Sequence, residues 1–226
     1  MWQKVYEELG PQGLDIVTVA LDNDPEAARP FAVDANPTHS SLLDRALLTV
    51  ERFGFTNVPF GIWIDEAGTL VRPAEVAFPS RGTDPQSQSI IESLPEETRR
   101  VVEGMTANLG DTRRYTEAVR DWVAKGSESR FVLSPDEVVS RSRPLPLEFG
   151  LAAAEFELGQ HLHRGGHGLD AVAHFREAHR LDPENWSYKR EAYSLADSSW
   201  GQVYERDLLS EVAAIGPETF YPSLDM

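Results

Sequence analysis

The sequence predicts an α/β domain followed by an all-helical segment. Three observations predict it. The β-branched run LDIVTVAL, Leu14 to Leu21, lies between two helical patterns, the alternation that builds α/β layers. The segments FGIWI and TLVR, Phe60 to Ile64 and Thr69 to Arg72, flank Asp65-Glu66-Ala67-Gly68, whose length and final glycine fit a hairpin. Beyond Pro144 and Pro146 the character changes, and from Ala152 the apolar residues keep helical spacing. A chain of 226 residues has room for one domain of about 100–150 residues and a smaller one.

Each element follows from its residues. Trp2, Val5, Tyr6 and Leu9 fall on one helical face, and Gly10-Pro11 ends that helix. No capping residue precedes it, although the first turn of a helix leaves N–H groups in need of partners. Leu14 to Leu21 suits a strand buried on both faces. Asp24 is placed as an N-cap, with Pro25 at the first position of a helix from Glu26 to Val33. Ser41 to Phe53 reads as a helix stopped by Gly54. Arg72 to Asp111 is rich in Pro, Ser, Gly and Gln, with a weak helical pattern from Ile90 to Met105, and reads as a connecting region. Thr112 to Lys125 is a clear helix with Tyr115, Ala118, Val119, Trp122 and Val123 on one face and Gly126 closing it. Ser134-Pro135-Asp136-Glu137 is a capping box that opens a short helix to about Arg141.

The last third carries a recognisable pattern. AAAEFELGQHLHRGGHGLDAVAHFREAHRLDPEN, Ala152 to Asn185, fits the tetratricopeptide repeat, a helical hairpin of about 34 residues. Leu158-Gly159, Leu162, Ala171, Phe175, Ala178 and Pro183 stand at the pattern's positions, while Glu155 stands where it favours Trp. One repeat is present, followed by a helix from about Glu184 to Leu195. A lone unit needs a neighbour to bury its face, so packing on the first domain is expected.

Composition excludes several function classes. Hydrophobic residues at 41% and charged residues at 26% argue against wholesale disorder. The formal charge of −16, from 37 acidic and 21 basic residues, repels a phosphate backbone, so no nucleic-acid partner is expected. No apolar run reaches about 18 residues, and MWQKVYEELG lacks the apolar core of a secretory signal. Membrane insertion is therefore not expected, and the location is read as cytoplasmic. With no cysteine, the chain offers no disulfide, thiolate metal site or thiol nucleophile.

Through residues 1–73, and most specifically in FGFTNVPFGIWIDEAGTLVRP, the order of elements resembles the TlpA/ResA-like (redoxin) branch of the thioredoxin superfamily. In that family a central strand and a Trp-Cys-x-x-Cys turn precede the first helix, and a Val-Pro step with a cis peptide bond precedes an Asp-x-x-Gly hairpin. The resemblance implies that Pro59 is the cis-proline and that Val58 pairs its backbone with substrate. It further implies that Asp65 to Gly68 is the hairpin turn and that Trp2 to Leu9 continues the helix after the redox motif.

The implied fold class is an α/β thioredoxin-like domain, incomplete at its N-terminus, followed by an α-helical tetratricopeptide-like segment. The first spans residues 1–125 with the connecting region 73–111. The second spans 145–200, and a C-terminal tail spans 201–226. The implied activity is thiol–disulfide oxidoreduction, in which a low-pKa thiolate or selenolate attacks a disulfide. The family's central strand and motif are not in this chain, and losing them leaves sheet edges unpaired. The expectation is an N-terminally shortened oxidoreductase without catalytic residues of its own. A selenocysteine codon in the absent motif, read as a stop, is one cause of such a start. The alternative is a non-catalytic interaction module in which the helical repeat and the cis-proline surface hold a protein or peptide partner.

Other residues invite chemistry and have simpler explanations. His161, His163, His167, His174 and His179 lack the i, i+4 spacing of a helical metal pair, so solvated or capping histidines and no metal are expected. Trp63, Trp122 and Trp186 lie in strand or helix patterns where core packing is the default. Asp65 and Glu66 fit turn chemistry better than general acid and base. No phosphate loop, nucleophile elbow or nucleotide fingerprint appears, and no cofactor is expected.

Overall fold

The structure is a computed structural model that describes residues 2–79, 85–109, 111, 113–142, 146–195, 203, 207–224 and 226, with backbone alone at 85–88. Pro144, the start of the Thr112 helix and the division at 200/201 lie outside the described residues. The fold is mixed α/β, mainly helical, with two small sheets.

Helix α1, Trp2–Leu9, buries Val5 and Leu9 and runs into a 3-10 turn at Gly10–Gln12. Gly13 then reverses the chain at φ 105°, a conformation glycine adopts without a Cβ clash. Strand β1, Val17–Leu21, pairs in parallel with β2, Ser40–Asp44, through the crossover helix α2, Pro25–Ala35. Asp24 caps α2 as its residue type predicts, its side chain accepting from the Glu26 N–H, with Pro25 in the first turn. Two expectations are corrected here. β1 is not buried on both faces: Val17 is 53% exposed and α2, the helix that would cover it, buries none of its own residues. Ser41 to Phe53 is not one helix but β2 followed by α3, Leu48–Phe53. Pairing with β1 overrides helical propensity at residues 40–44. Asp44 Oδ2 then accepts from the Thr49 N–H and hydroxyl at 2.7 Å, and Leu47 adopts φ 56°, which no continuous helix contains.

Strands β3, Phe60–Ile64, and β4, Leu70–Val76, form the expected antiparallel hairpin. Asp65 Oδ1 accepts the Ala67 and Thr69 N–H groups, and Gly68 takes φ 80°. β4 runs past the predicted end at Arg72, and the register slips between Gly61 and Trp63 and again between Trp63 and Ile64. Such a bulge accommodates Pro73, which has no N–H for the ladder. The connecting region holds α4, Pro85–Ser93, and α5, Glu96–Met105. Helix α6, Arg113–Lys125, packs Tyr115, Ala118 and Val119 into a core with α1 and the hairpin. There Trp63 stacks on Trp122 at 4.8 Å and donates its indole N–H to the Tyr115 hydroxyl at 2.9 Å. Helix α7, Pro135–Arg141, opens with the complete capping box of Ser134 and Glu137.

Helices α8, Leu147–Arg164, and α9, Gly168–Leu181, form a hairpin, and α10, Trp186–Leu195, follows. Gly159 is required by contact: a Cβ there would lie 2.6 Å from the Phe175 ring. Where the repeat pattern favours Trp, Glu155 instead meets His174 Nδ1 at 2.6 Å across the hairpin. Phe156, Phe175, Tyr188 and Ala192 share one core with Leu47 and Val50, so the hairpin buries its face against the α3 region. Residues assigned as a tail contain α11, Leu208–Ile215, and return Phe220 and Tyr221 to a third core with Val76, Phe78 and Trp186.

Candidate functional site

The loop Thr56 to Pro59 enters β3 through a cis peptide bond between Val58 and Pro59, as expected for Pro59. Asn57 organises the loop. Its side chain, 1% exposed, accepts the Val58 N–H at Oδ1 at 2.8 Å and donates from Nδ2 to the Phe220 carbonyl at 2.8 Å. Asn57 Oδ1 also accepts from Arg190 Nη2 at 3.1 Å. The Thr56 carbonyl accepts the Ser187 N–H at 3.1 Å, and the Val58 carbonyl accepts the Tyr221 hydroxyl at 2.7 Å. The Pro59 carbonyl takes the Ala77 N–H at 3.0 Å. Both predicted site residues, Val58 and Pro59, are half-buried under α10 and the Phe220–Tyr221 segment.

Beside this loop lies a cavity of about 190 Å³, lined by Val19, Ala20 and Leu21 of β1, by Val58, and by Ser187, Arg190 and Glu191 of α10. Burial pushes the Glu191 carboxyl up to about 7, with Asp22 adding to the rise and hydrogen bonds from the Asn23 N–H and Ser194 opposing it. Burial pulls the Arg190 guanidinium below its ordinary value, and the Tyr221 side chain opposes that shift. Ser187 and Glu191 are four apart on one face of α10.

The remaining candidates lie elsewhere. Asp65 belongs to its turn, at the opposite end of β3 from the loop. Trp63 and Trp122 stack in the α1–α6 core, and Trp186 packs on Phe220 at 4.8 Å. His179 corrects the expectation of solvated histidines: it is buried on α9, and burial, aided by Lys189, holds its imidazole down at about 3. His174 is committed to Glu155. Among the described residues no cluster of three or more His, Cys, Asp or Glu side chains could hold a metal, and no helix is long and apolar enough to cross a membrane.

Sequence reasoning missed Asn57, Ser187, Arg190, Glu191 and Tyr221. On a helix as polar as WSYKREAYSL, Arg190-Glu191 reads as an ordinary solvated pair, and only the chain's return over the loop turns it inward. Compared with family models, curated proteins and solved structures, the chain matches none.

Proposed function

We propose that residues 1–226 form the substrate-holding part of a thioredoxin-like thiol–disulfide oxidoreductase whose nucleophile comes from a segment outside these residues. One observation supports this reading above the others. Among the described residues β1 pairs only with β2, and β3 only with β4, and the cavity lies between β1 and the Val58 entrance to β3. A strand entering there pairs with β1 on one side and β3 on the other and joins two half-sheets into one. It also brings any residue that follows it to the Val58–Pro59 loop, where an attacking thiolate or selenolate would need to stand. With no cysteine in the chain, the reaction has no nucleophile until that strand is present.

The test is reduction of insulin disulfides with dithiothreitol as electron donor. Residues 1–226 should show no rate above background. A chain extended by in-frame upstream residues that encode a strand and a cysteine or selenocysteine motif should show one. An upstream sequence without such a motif, or an extended chain that is equally inactive, refutes the redox reading.

A second reading, a non-catalytic interaction module, draws support from a separate observation. The Val58 carbonyl is already taken by the Tyr221 hydroxyl, and Asn57 by Phe220 and Arg190, an arrangement suited to a fixed scaffold. Inactivity in both chains favours this module.

A further inference from the structure

Val58 has both of its main-chain hydrogen-bonding groups occupied by side chains. Its N–H donates to Asn57 Oδ1 at 2.8 Å, and its carbonyl accepts from the Tyr221 hydroxyl at 2.7 Å. The ladder to β4 begins one residue later, where the Pro59 carbonyl takes the Ala77 N–H. Among the described residues no other strand pairs with β3. An extended peptide that pairs with Val58 needs the same N–H and the same carbonyl. Asn57 and Tyr221 therefore stand where such a peptide would bond.

A third side chain joins these two. Arg190 Nη2 donates to Asn57 Oδ1 at 3.1 Å, and the same guanidinium hydrogen-bonds the Tyr221 side chain. Val58, Asn57, Arg190 and Tyr221 thus close a ring of hydrogen bonds drawn from the loop before β3, from α10 and from the segment after α11. Satisfying two main-chain groups takes one acceptor and one donor. Here a desolvated arginine, costly to bury, ties the acceptor to the donor as well. Val58 is half-buried, and it lines the cavity beside β1 together with Arg190, so the ring borders open space. Side-chain bonds of this kind exchange by rotation of the side chain, whereas a main-chain ladder opens only when a strand leaves.

We propose that the Asn57–Arg190–Tyr221 ring is an autoinhibitory closure of the cis-proline loop, in which the Tyr221 hydroxyl holds the Val58 carbonyl that an extended substrate peptide takes when the ring opens. The proposal rests on the substrate-holding reading above and adds how that site is kept closed. The Tyr221 ring packs edge-on against Phe78 at 5.4 Å and against Phe220 at 4.8 Å. Those contacts do not use the hydroxyl, so Tyr221→Phe removes the closing bond and keeps the packing. The gain expected from the variant is the worth of one net hydrogen bond, about two- to tenfold in affinity.

The probe is fluorescein-labelled Val-Thr-Val-Thr-Val-amide, followed by anisotropy as residues 1–226 are titrated in, with folding of each variant checked by circular dichroism. Tyr221→Phe should bind it about two- to tenfold more tightly than the parent. Arg190→Lys, whose single ammonium cannot reproduce the fork that reaches both side chains, should move the affinity in the same direction. Gly159→Ala disturbs the helical hairpin far from the loop and should bind as the parent does, which separates an opened site from a loosened fold. The same peptide N-methylated at every residue should bind none of the four proteins. Equal affinity for the parent and both ring variants, no binding by any protein, an equal gain in Gly159→Ala, or equal binding of the N-methylated peptide each overturns the closure. Binding is read in a chain that carries no thiol, so the insulin assay of the extended chain still decides the redox reading whichever way the anisotropy falls.

Discussion

Glu191→Gln should flatten the dependence of stability on pH. In the folded chain this carboxyl is pushed from 4.5 up to about 7, so between those values the folded state holds a proton that the unfolded state releases. Stability therefore falls as pH rises through this window, by at most about 1.4 kcal/mol per pH unit. Across the whole window the shift from 4.5 to about 7 corresponds to about 3 kcal/mol. Glutamine matches the protonated acid in shape and does not ionise. Urea unfolding of both proteins at pH 5, 6, 7 and 8 measures the difference directly. The variant should be within about 1 kcal/mol of the parent at pH 5 and about 3 kcal/mol more stable at pH 8. Parallel profiles would refute the reasoning, since they would mean that Glu191 ionises in the folded chain as easily as in water.

Four other outcomes are expected. His179→Gln should reduce acid sensitivity. The buried imidazole, held down at about 3, must stay neutral while the unfolded state gains a proton below about 6.5. Its cost is thus absent above that pH and grows as pH falls, which acid titrations of the two proteins followed by tryptophan fluorescence will show. Gly159→Ala places a Cβ 2.6 Å from the Phe175 ring and should destabilise by about 1–3 kcal/mol in urea, with Phe175→Leu in the same chain restoring part of the loss. Gln160→Met should stabilise by about 1–3 kcal/mol, because both amide atoms of the buried Gln160 lack partners. Tyr221→Phe removes the donor to the Val58 carbonyl and should cost about 1–3 kcal/mol if that carbonyl stays dry, measurable as a lower urea midpoint.

Local chemistry was legible wherever a few neighbouring residues decide the outcome. Asp24-Pro25, Asp65 to Gly68, Ser134 to Glu137 and the close approach at Gly159 all lie where their residue types place them. Legibility ended where distant partners decide. Residues 40–44 pair with β1 and become a strand, although the Ser41 to Phe53 segment taken alone favours a helix. β1 itself looked like a fully enclosed strand because Val, Ile and Leu are counted without knowing which layers arrive. The candidate site was half visible: Val58-Pro59 stands out in the sequence, while its partners Arg190 and Tyr221 come from more than a hundred residues away, with separations of 133 and 163. No period or motif encodes such meetings.

Helix α10 is enclosed on nearly every side: Trp186 joins one core, Tyr188 and Ala192 another, and Ser187 ties to the loop before β3. The two parts that the sequence suggests are thus bolted together through this rod, and neither can melt without stripping surface from the other. Differential scanning calorimetry should accordingly trace one endotherm, and a protease should find few stable intermediate fragments, despite a chain that reads as two modules.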